Sequence, residues 1–259
     1  MGMCLVYSFL DMGIDTSAAT FTGLNNYIEM VKDPTFIRSL WNTILIVVVS
    51  VPVVTAFSLW VGSAIYPMRS KMRSFFRCVF YLPVVTGSVA VTVVWKWMFN
   101  PYNGLLNQIF GTTGFDWLGD TRTAIWCIIM ILFTPSIGQP IVLYVAALGN
   151  VDKSLEEAAA IDGATRLQIF WKIKWAQIMP TTLYVLVITT INSFQCFALI
   201  QLLTRGGPNH ATDTIMYYIF QMAYNNQNFG YANAMGVVLA IIIAIFSAIQ
   251  FKFAKTDNG

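Results

Sequence analysis

The sequence predicts an all-α integral membrane protein. Of its 259 residues, 57% are hydrophobic and only 10% are charged, whereas soluble domains carry about 25% charged residues. A polar stretch runs from Ser154 to Ile173 between two apolar segments. Segments long enough to cross a bilayer need about 20 apolar residues, and five are present, at positions 39–66, 74–99, 123–148, 178–203 and 232–251.

The first ten residues are apolar but too short to cross a bilayer alone. They also lack the positively charged beginning of a signal peptide. We interpret them as the outer end of a first helix whose beginning is missing from this numbering, or as a shortened helix. The expected architecture therefore has six helices, five of them complete.

Basic residues predict the orientation, because cytoplasmic loops are enriched in Lys and Arg. Three alternate regions hold ten of the fifteen basic residues: Arg69, Lys71, Arg73, Arg77, Lys153, Arg166, Lys172, Lys174, Lys252 and Lys255. The remaining regions hold only Lys32, Arg38, Lys96, Arg122 and Arg205. We therefore expect the polar stretch and the C-terminus in the cytoplasm, and the loops 11–38, 100–122 and 204–231 outside.

The polar stretch has the local signals of two helices. Ser154 with Glu157 fits a capping box, as does Thr165 with Gln168. The alanine run after Glu157 favours helix, and Gly163 interrupts it because glycine tolerates a positive φ. The stretch is predicted to form helix, turn and helix on a soluble face. The alternative is a generic amphipathic loop.

The predicted spans contain no ionisable group that could drive transport. No Asp, Glu, His or Arg lies deep in any of them, and Lys96 is near an outer edge, where it can reach the interface. Such groups mark proton pathways in carriers, so their absence argues against a proton-coupled carrier. A sodium site of carbonyls and hydroxyls would escape this test. The chain also has no G-x-x-x-x-G-K-[ST] nucleotide loop, so an ATP-driven pump would need a separate ATPase, bound at the polar stretch.

The fifth span carries a patterned set of polar residues. Thr189, Asn192, Ser193 and Cys196 fall at i, i+3, i+4 and i+7, which is one helical face, and Gln195 flanks it. We interpret this face as the lining of a cavity for a neutral polyhydroxyl solute. The alternative is hydrogen bonding between helices.

The fourth span carries the second polar set. Ser136 and Gln139 share a face, and Pro135 and Pro140 bracket them. The prolines must kink the helix and free backbone carbonyls, which inside a bilayer need protein or a water-filled cavity beside them. The same cavity interpretation, with the same alternative, applies to this pair.

The sixth span has a small residue at every fourth position. The stripe consists of Ala232, Gly236, Ala240, Ala244 and Ala248. Small residues let helices approach closely in a bilayer, so we expect a helix or subunit contact here.

Other kinds of site find little support in the sequence. Cys4, Cys78, Cys127 and Cys196 are widely spaced in apolar runs, which suggests neither a disulfide framework nor a metal site and favours small buried side chains. His210 is the only histidine. Since no acidic pair lies at membrane depth, a membrane-embedded enzyme is disfavoured. No basic patch with interleaved aromatics suggests nucleic acid.

The polar stretch resembles the EAA loop of ABC-importer permeases. Glu157-Ala158-Ala159, Asp162-Gly163-Ala164, Phe170 and Ile173 stand at that family's spacing. Outer elements resemble those of carbohydrate importers of the maltose and glycerol-phosphate type, in the "F-type" half. These elements are Phe21-x-Gly-Leu-x-Asn26-Tyr27, Asn42-Thr43, Leu203-Thr-Arg-Gly-Gly-Pro208, Thr212, Tyr218, Ala223 and Gly230-Tyr-Ala232.

The resemblance implies the six-helix core of a type I ABC importer permease, with the first helix truncated here. Residues 1–38 would form the end of that helix and an outer loop, and residues 39–255 the transmembrane domain. Within it, 150–177 would be the coupling loop and 204–231 the outer Gly-Gly-Pro loop. Trp175-Ala176 stands where the family has Leu-Pro, so the fifth helix is expected to start less sharply.

The resemblance also implies function and partners. The chain would be the permease subunit of an ATP-driven sugar importer in a bacterial inner membrane. It would pair with a second homologous permease, two ATPase subunits that bind ATP and Mg²⁺, and an extracytoplasmic solute-binding protein, with no cofactor of its own. The coupling residues would be Glu157, Ala158, Ala159, Asp162, Gly163, Ala164 and Phe170. By matching of motifs, the oligosaccharide would contact Ser136, Gln139, Ser193 and Cys196. The polar pattern of the fifth span adds Asn192 and Gln195 to the predicted substrate-binding residues.

Two alternatives stay open at this point. The chain could be a secondary carrier or channel for a neutral solute. It could also be an ABC permease for a glycerol-phosphate-like substrate, although the lack of cationic residues in the spans weighs against a phosphorylated one.

Overall fold

The computed structural model describes residues 2–14 and 19–256, with side chains up to residue 252. The chain opens with a short helix, α1 (Gly2–Tyr7), and a two-stranded antiparallel sheet, β1 (Leu10–Asp11) and β2 (Thr20–Phe21). Helix α2 (Asn25–Lys32) follows. These elements form a cap on the predicted outer side, where α1 and α2 both pack against the last helix of the chain.

The second span begins five residues earlier than predicted. Helix α3 covers Pro34–Ile65. Asp33 caps it, since its side chain accepts a hydrogen bond from the Thr35 amide at 2.8 Å, and Pro34 stands at the first helical position, where its missing N–H costs nothing. The sequence pattern placed the start at the first long apolar run and overlooked this cap.

The next two predicted spans are broken helices. The third consists of α4 (Ser70–Thr86) and α5 (Ser88–Met98), which meet at 96°, so the predicted span 74–99 is present as a sharply bent pair of helices. After α6 (Leu105–Phe110), the fourth consists of α7 (Ala124–Ser136) and α8 (Gly138–Gly149), which meet at 43°. The proline-induced kink is thereby confirmed.

The polar loop (residues 150–177) contains α9 (Lys153–Ile161) and α10 (Arg166–Ile169). A π-helical turn, Phe170–Lys174, joins α10 to α11 (Trp175–Phe194), so the helix runs on into the membrane segment without a sharp bend. The expected gradual start of the fifth helix is confirmed. The chain continues through α12 (Ala198–Leu203), α13 (Ile215–Phe220), a second π-helical turn at Gln221–Asn225 and α14 (Phe229–Thr256).

The described residues contain three helices long and apolar enough to cross a membrane, and five such segments if each bent pair counts as one. The five correspond to the five predicted spans. Helix α3 is central and packs against α8 and α11. The packing is close at Gly62, where an added Cβ would lie 2.9 Å from the Cβ of Tyr144.

The predicted outer side is held together by buried polar contacts. Asp33 accepts hydrogen bonds from the hydroxyls of Tyr218 (2.6 Å) and Tyr231 (2.9 Å). Burial alone would raise the pKa of Asp33, but these bonds and two backbone amides bring it below its ordinary value. The carboxylate therefore joins the starts of α3 and α14 to α13.

The loop before α13 is fastened to α3 in the same way. The Asn42 side chain donates to the carbonyls of His210 and Asp213, and the Thr43 hydroxyl accepts from the Ile215 amide at 2.9 Å. Burial raises the pKa of the Asp213 carboxyl, which His210 and Arg38 partly counteract. Residues 204–214 therefore fold as an ordered part of the core.

The cysteines only partly match their prediction. Cys127 and Cys196 are buried, whereas Cys4 is partly exposed and Cys78 is exposed on α4. All four are free thiols. The expectation of small buried side chains is wrong for Cys78, because it lies on a face of α4 that the other described residues leave exposed.

Candidate functional site

The polar loop begins with a cap that differs from the predicted one. The Asp152 carboxylate, two residues before Ser154, accepts from the Ser154 amide at 2.9 Å, so α9 starts at Lys153. The predicted Ser154–Glu157 capping box is wrong, since Asp152 caps a helix equally well and its charge suits the positive end of the helix dipole. Hydrogen bonds from the side chain and amide of Ser154 lower the pKa of Asp152.

The turn after α9 requires glycine at position 163. Gly163 has φ +82°, and the amides of Gly163 and Ala164 donate to the carbonyls of Ala160 and Ala159, which is the Schellman pattern of helix ends. A Cβ at Gly163 would meet no atom within 4 Å. The backbone conformation, and not crowding, therefore selects glycine here, as predicted.

The second helix starts with the predicted capping box. The Gln168 amide donates to the Thr165 hydroxyl at 3.4 Å, and the Thr165 amide donates to the Gln168 side chain at 2.8 Å. Two capped helices around a glycine turn thus give the loop a defined shape.

The predicted coupling residues lie on the open surface of this loop. Glu157, Ala158, Asp162 and Gly163 are exposed, and Ala159, Ala164 and Phe170 are partly exposed. A groove of about 400 Å³ separates α9 from α10 and the π-helical turn. Neither α9 nor α10 has a buried residue, so the other residues that the structure describes leave this surface open.

Sequence reasoning missed two apolar residues of this surface. Ile161 is 86% exposed and Leu167 71% exposed, one on each side of the glycine turn. Exposed large aliphatic side chains on a polar loop favour a protein contact. Their position next to the helix ends was visible in the sequence, but an apolar residue on an amphipathic helix is ordinarily expected to be buried.

The fourth-span pair flanks the interruption between α7 and α8. Gln139 is exposed, whereas Ser136 is partly buried and its hydroxyl donates to the Leu132 carbonyl of its own helix at 2.7 Å. The Gln139 amide is thus accessible at the surface, whereas the Ser136 hydroxyl is bonded within its own helix.

The fifth-span set is divided between the surface and the core. Asn192 and Gln195 are exposed, but Ser193 and Cys196 are buried at 2% and 5% exposure. Thr189, Ser193 and Cys196 of the predicted face are all buried, whereas Asn192, on the same helix α11, is exposed, so the predicted single face is only partly present. Helix α11 ends at Phe194, before Gln195 and Cys196. The Cys196 carbonyl accepts from the Thr214 hydroxyl at 2.8 Å, so this interruption is anchored to the loop before α13.

A third interruption, which the sequence analysis did not predict, lies between α4 and α5. Gly87 has φ +83°, and Thr86, Gly87 and Ser88 are all exposed. Helix α5 packs against α7 and α12, and α4 packs against α7 and α8. The three interrupted segments therefore form one packed group, which presents polar side chains at its surface.

The sequence as a whole matches a known family over residues 31–255, described as "Binding-protein-dependent transport system inner membrane component". The chain belongs to this family. It is thus a permease, the membrane component of a transport system that also uses a binding protein, and a multi-pass membrane protein.

Three curated relatives agree with this assignment. The permease is 34% identical to a probable ABC transporter permease protein, YurN, of Bacillus subtilis (strain 168), over 92% of this chain and 84% of that protein. It is 32% identical to the diacetylchitobiose uptake system permease protein NgcF of Streptomyces coelicolor, over 92% and 72%. It is 30% identical to the sn-glycerol-3-phosphate transport system permease protein UgpA of Agrobacterium fabrum, over 92% and 82%.

The fold is also that of a solved transporter. A chain of a bacterial ABC transporter involved in the import of the acidic polysaccharide alginate superimposes with a TM-score of 0.81 at 23% identity, covering 90% of this permease and 84% of that chain. The predicted type I ABC importer permease fold is confirmed.

Proposed function

We propose that this permease forms half of the translocation pathway of an ATP-driven sugar importer and is moved by an ATPase that docks on the polar loop. The observation that carries the proposal is the uncovered loop surface with Ile161 and Leu167 on either side of Gly163. A rigid loop with exposed aliphatic side chains suits insertion into a cleft of a partner.

The proposal includes three kinds of partner subunit. Two ATPase subunits would bind ATP and Mg²⁺ in the cytoplasm, on the side where the basic residues predict the C-terminus. A second homologous permease would cover the polar face of the interrupted helices, and a solute-binding protein would deliver the substrate from outside. Glu157, Ala158, Ala159, Asp162, Gly163, Ala164 and Phe170 would form the ATPase contact.

The pathway would be lined by the exposed polar residues of the interrupted helices. Gln139, Asn192 and Gln195 would contact the solute directly, because their amides reach the surface. Ser136, Ser193 and Cys196 would support the backbone of these interruptions. Irregular backbone at membrane depth is tolerated where protein or a water-filled cavity surrounds it, which agrees with a pathway at this face.

An uncharged oligosaccharide is the proposed substrate. The polar groups at the interruptions are amides and hydroxyls, which bind hydroxyl groups through hydrogen bonds and carry no charge to balance a phosphate. NgcF, named for diacetylchitobiose, supports this proposal. UgpA, named for sn-glycerol-3-phosphate, keeps a phosphorylated substrate as the alternative.

Two loop variants test the docking role. Gly163→Pro cannot adopt the positive φ of this turn, because the proline ring fixes φ at a negative value. The turn must therefore distort, at a cost of about 1–3 kcal/mol. Glu157→Lys reverses an exposed charge. Both are expected to reduce transport by about tenfold or more in the reconstituted complex, while the binding protein still captures its ligand. Glu29→Lys, an exposed reversal on α2, is the control. Transport that survives both loop variants at normal expression contradicts the proposal.

The substrate class and the carrier alternative need separate assays. Diacetylchitobiose, maltose and sn-glycerol-3-phosphate should be tested for binding to the cognate binding protein and for stimulation of ATP hydrolysis. A response to the sugars alone supports the proposal, and a response to the phosphate ester alone supports the alternative. Uptake by liposomes that contain only this chain would favour a secondary carrier.

A further inference from the structure

Helix α9 is joined to the membrane helices by an ion pair. The Lys174 ammonium lies 2.8 Å from a carboxylate oxygen of Glu156, and the two side chains are only 20% and 25% exposed. Glu156 stands in the first turn of α9, and Lys174 is the last residue before α11. The pair therefore connects the loop surface directly to the root of the fifth span.

The same lysine also contacts the end of the second span. Its ammonium lies 5.8 Å from the ring centroid of Tyr66, which directly follows α3, and the Arg73 guanidinium lies 5.9 Å from the same ring. Arg73 also donates to the Tyr66 carbonyl at 3.4 Å. Cations within about 6 Å of an aromatic ring are attracted to it, so Tyr66 links the ion pair to both α3 and α4.

These contacts matter because the other attachments of α9 lie at its two ends. No residue of α9 is buried. A backbone amide just before it, that of Asp152, donates to the Gln177 side chain at 3.1 Å, and the glycine turn connects it to α10. Val151, two residues before α9, is buried against Tyr144 and Ile178, so the chain is also fixed where α9 begins. The ion pair adds a direct side-chain contact from α9 itself to the start of α11.

We propose that Glu156, Lys174 and Tyr66 are positioning residues that make α9, α11 and the end of α3 move as one body. They act through the loop and do not contact ATP or solute. The inference rests on the proposed docking of an ATPase on the polar loop. It adds that the force is divided between the fifth span, through Lys174, and the second and third spans, through Tyr66 and Arg73.

The test uses the assembled transporter with a reporter that needs no known substrate. Gln195→Cys is introduced in a background in which Cys4 and Cys78 are serine, and its labelling by a membrane-impermeant maleimide from outside is compared with and without vanadate-trapped ATP. Glu156→Lys and Lys174→Glu should each reduce the ATP-dependent change in labelling by about fivefold or more, as loss of a coupling energy would. The ATPase subunits should still co-purify.

The double variant Glu156→Lys with Lys174→Glu should restore the change to within about twofold of the parent, because it rebuilds the pair with reversed charges. Tyr66→Phe should keep the change and Tyr66→Leu should lose it, since only the ring attracts the cation. Lys71→Glu, an exposed reversal near the same membrane surface, should have no effect.

The possible outcomes separate the two proposals. If the single reversals keep the ATP-dependent change, or if the double variant is as defective as the worse single one, the ion-pair inference is overturned. Should a reversal fail to fold, the Tyr66→Phe and Tyr66→Leu comparison still decides. If the parent itself shows no ATP-dependent labelling change, or does not hold the ATPase, the proposed function fails instead.

Discussion

The predicted outer side and the polar loop use polar residues in opposite ways. On the outer side, polar side chains form hydrogen bonds with distant parts of the same chain. Asp33, Asn42 and Thr43 link α3 in this way to α13, to the loop before it and to α14. In the polar loop, Asp152 and Thr165 only satisfy the ends of their own helices. The first region is a closed scaffold, and the second is shaped but left open for a partner.

The largest expected effect comes from removing the centre of the scaffold. Asp33→Ala leaves the Tyr218 and Tyr231 hydroxyls without their acceptor and uncaps α3, so the free energy of unfolding should fall by about 3 kcal/mol. Thermal unfolding of the purified protein in detergent measures this loss. Asp11→Ala, at an exposed position, is the control, and equal stability of the two variants would show that the outer side is not the scaffold.

A smaller loss is expected from a single buried hydroxyl. Thr43→Val keeps the side-chain shape but leaves the Ile215 amide without an acceptor, which should cost about 1–2 kcal/mol. The same unfolding assay applies, with Thr121→Val in an exposed loop as the comparison. No difference between the two would mean that the loop before α13 is held by packing alone.

The stability that Asp33 gives to the scaffold should also decrease in acid. Hydrogen bonds hold the pKa of folded Asp33 below its ordinary value of 3.8. The ionised carboxylate therefore stabilises the fold above pH 3.8, and this stabilisation is lost as the pH falls through the lower pKa of the folded state. Stability curves of the parent and of Asp33→Asn should therefore converge in acid. Parallel stability curves down to about pH 2 would contradict this expectation. Asp152→Asn, in the exposed loop, is the control and should change the stability curve less.

The smallest global effect is expected in the polar loop. Gly163→Ala forces a non-glycine residue to φ +82°, at a cost of about 1 kcal/mol, but the melting temperature should hardly change because α9 has no buried residue. Amide hydrogen exchange of residues 159–164 should become faster. Gly236→Ala, at a helical glycine with open space around it, is the control and should leave hydrogen exchange of residues 159–164 unchanged. A large drop in melting temperature for Gly163→Ala would mean that the loop belongs to the scaffold.

Local chemistry made the best predictions from sequence. The five apolar segments, the Gly163 turn, the Thr165–Gln168 capping box and the kink between Pro135 and Pro140 depend on neighbours in the chain, and all are present. The Ser154 box was wrong because Asp152 competes for the same amides. Sequence could not choose between two equally good caps two residues apart.

Features set by distant parts of the chain escaped prediction. The 96° bend at Gly87 depends on the packing of α5 against α7 and α12. Pro83 and Gly87 are sequence signals of a break in the run 74–99, but they do not set its angle. Asn192 and Ser193 are neighbours on α11, and their different exposure depends on which distant helices pack against each side of it. The roles of the six substrate residues and seven coupling residues stay predictions, because position alone does not show what they bind.

The π-helical turn at Phe170–Lys174 has a mechanical consequence. The Trp175 amide donates to the Phe170 carbonyl across it, so the helix continues from α10 into α11, and within α11 only Pro180 lacks a backbone N–H to donate. A twist applied to the short helix outside the bilayer must therefore turn the long helix inside it. Rotation of α10 is passed to α11 through this turn, and the side chains near the end of α11, Asn192 among them, rotate with the helix.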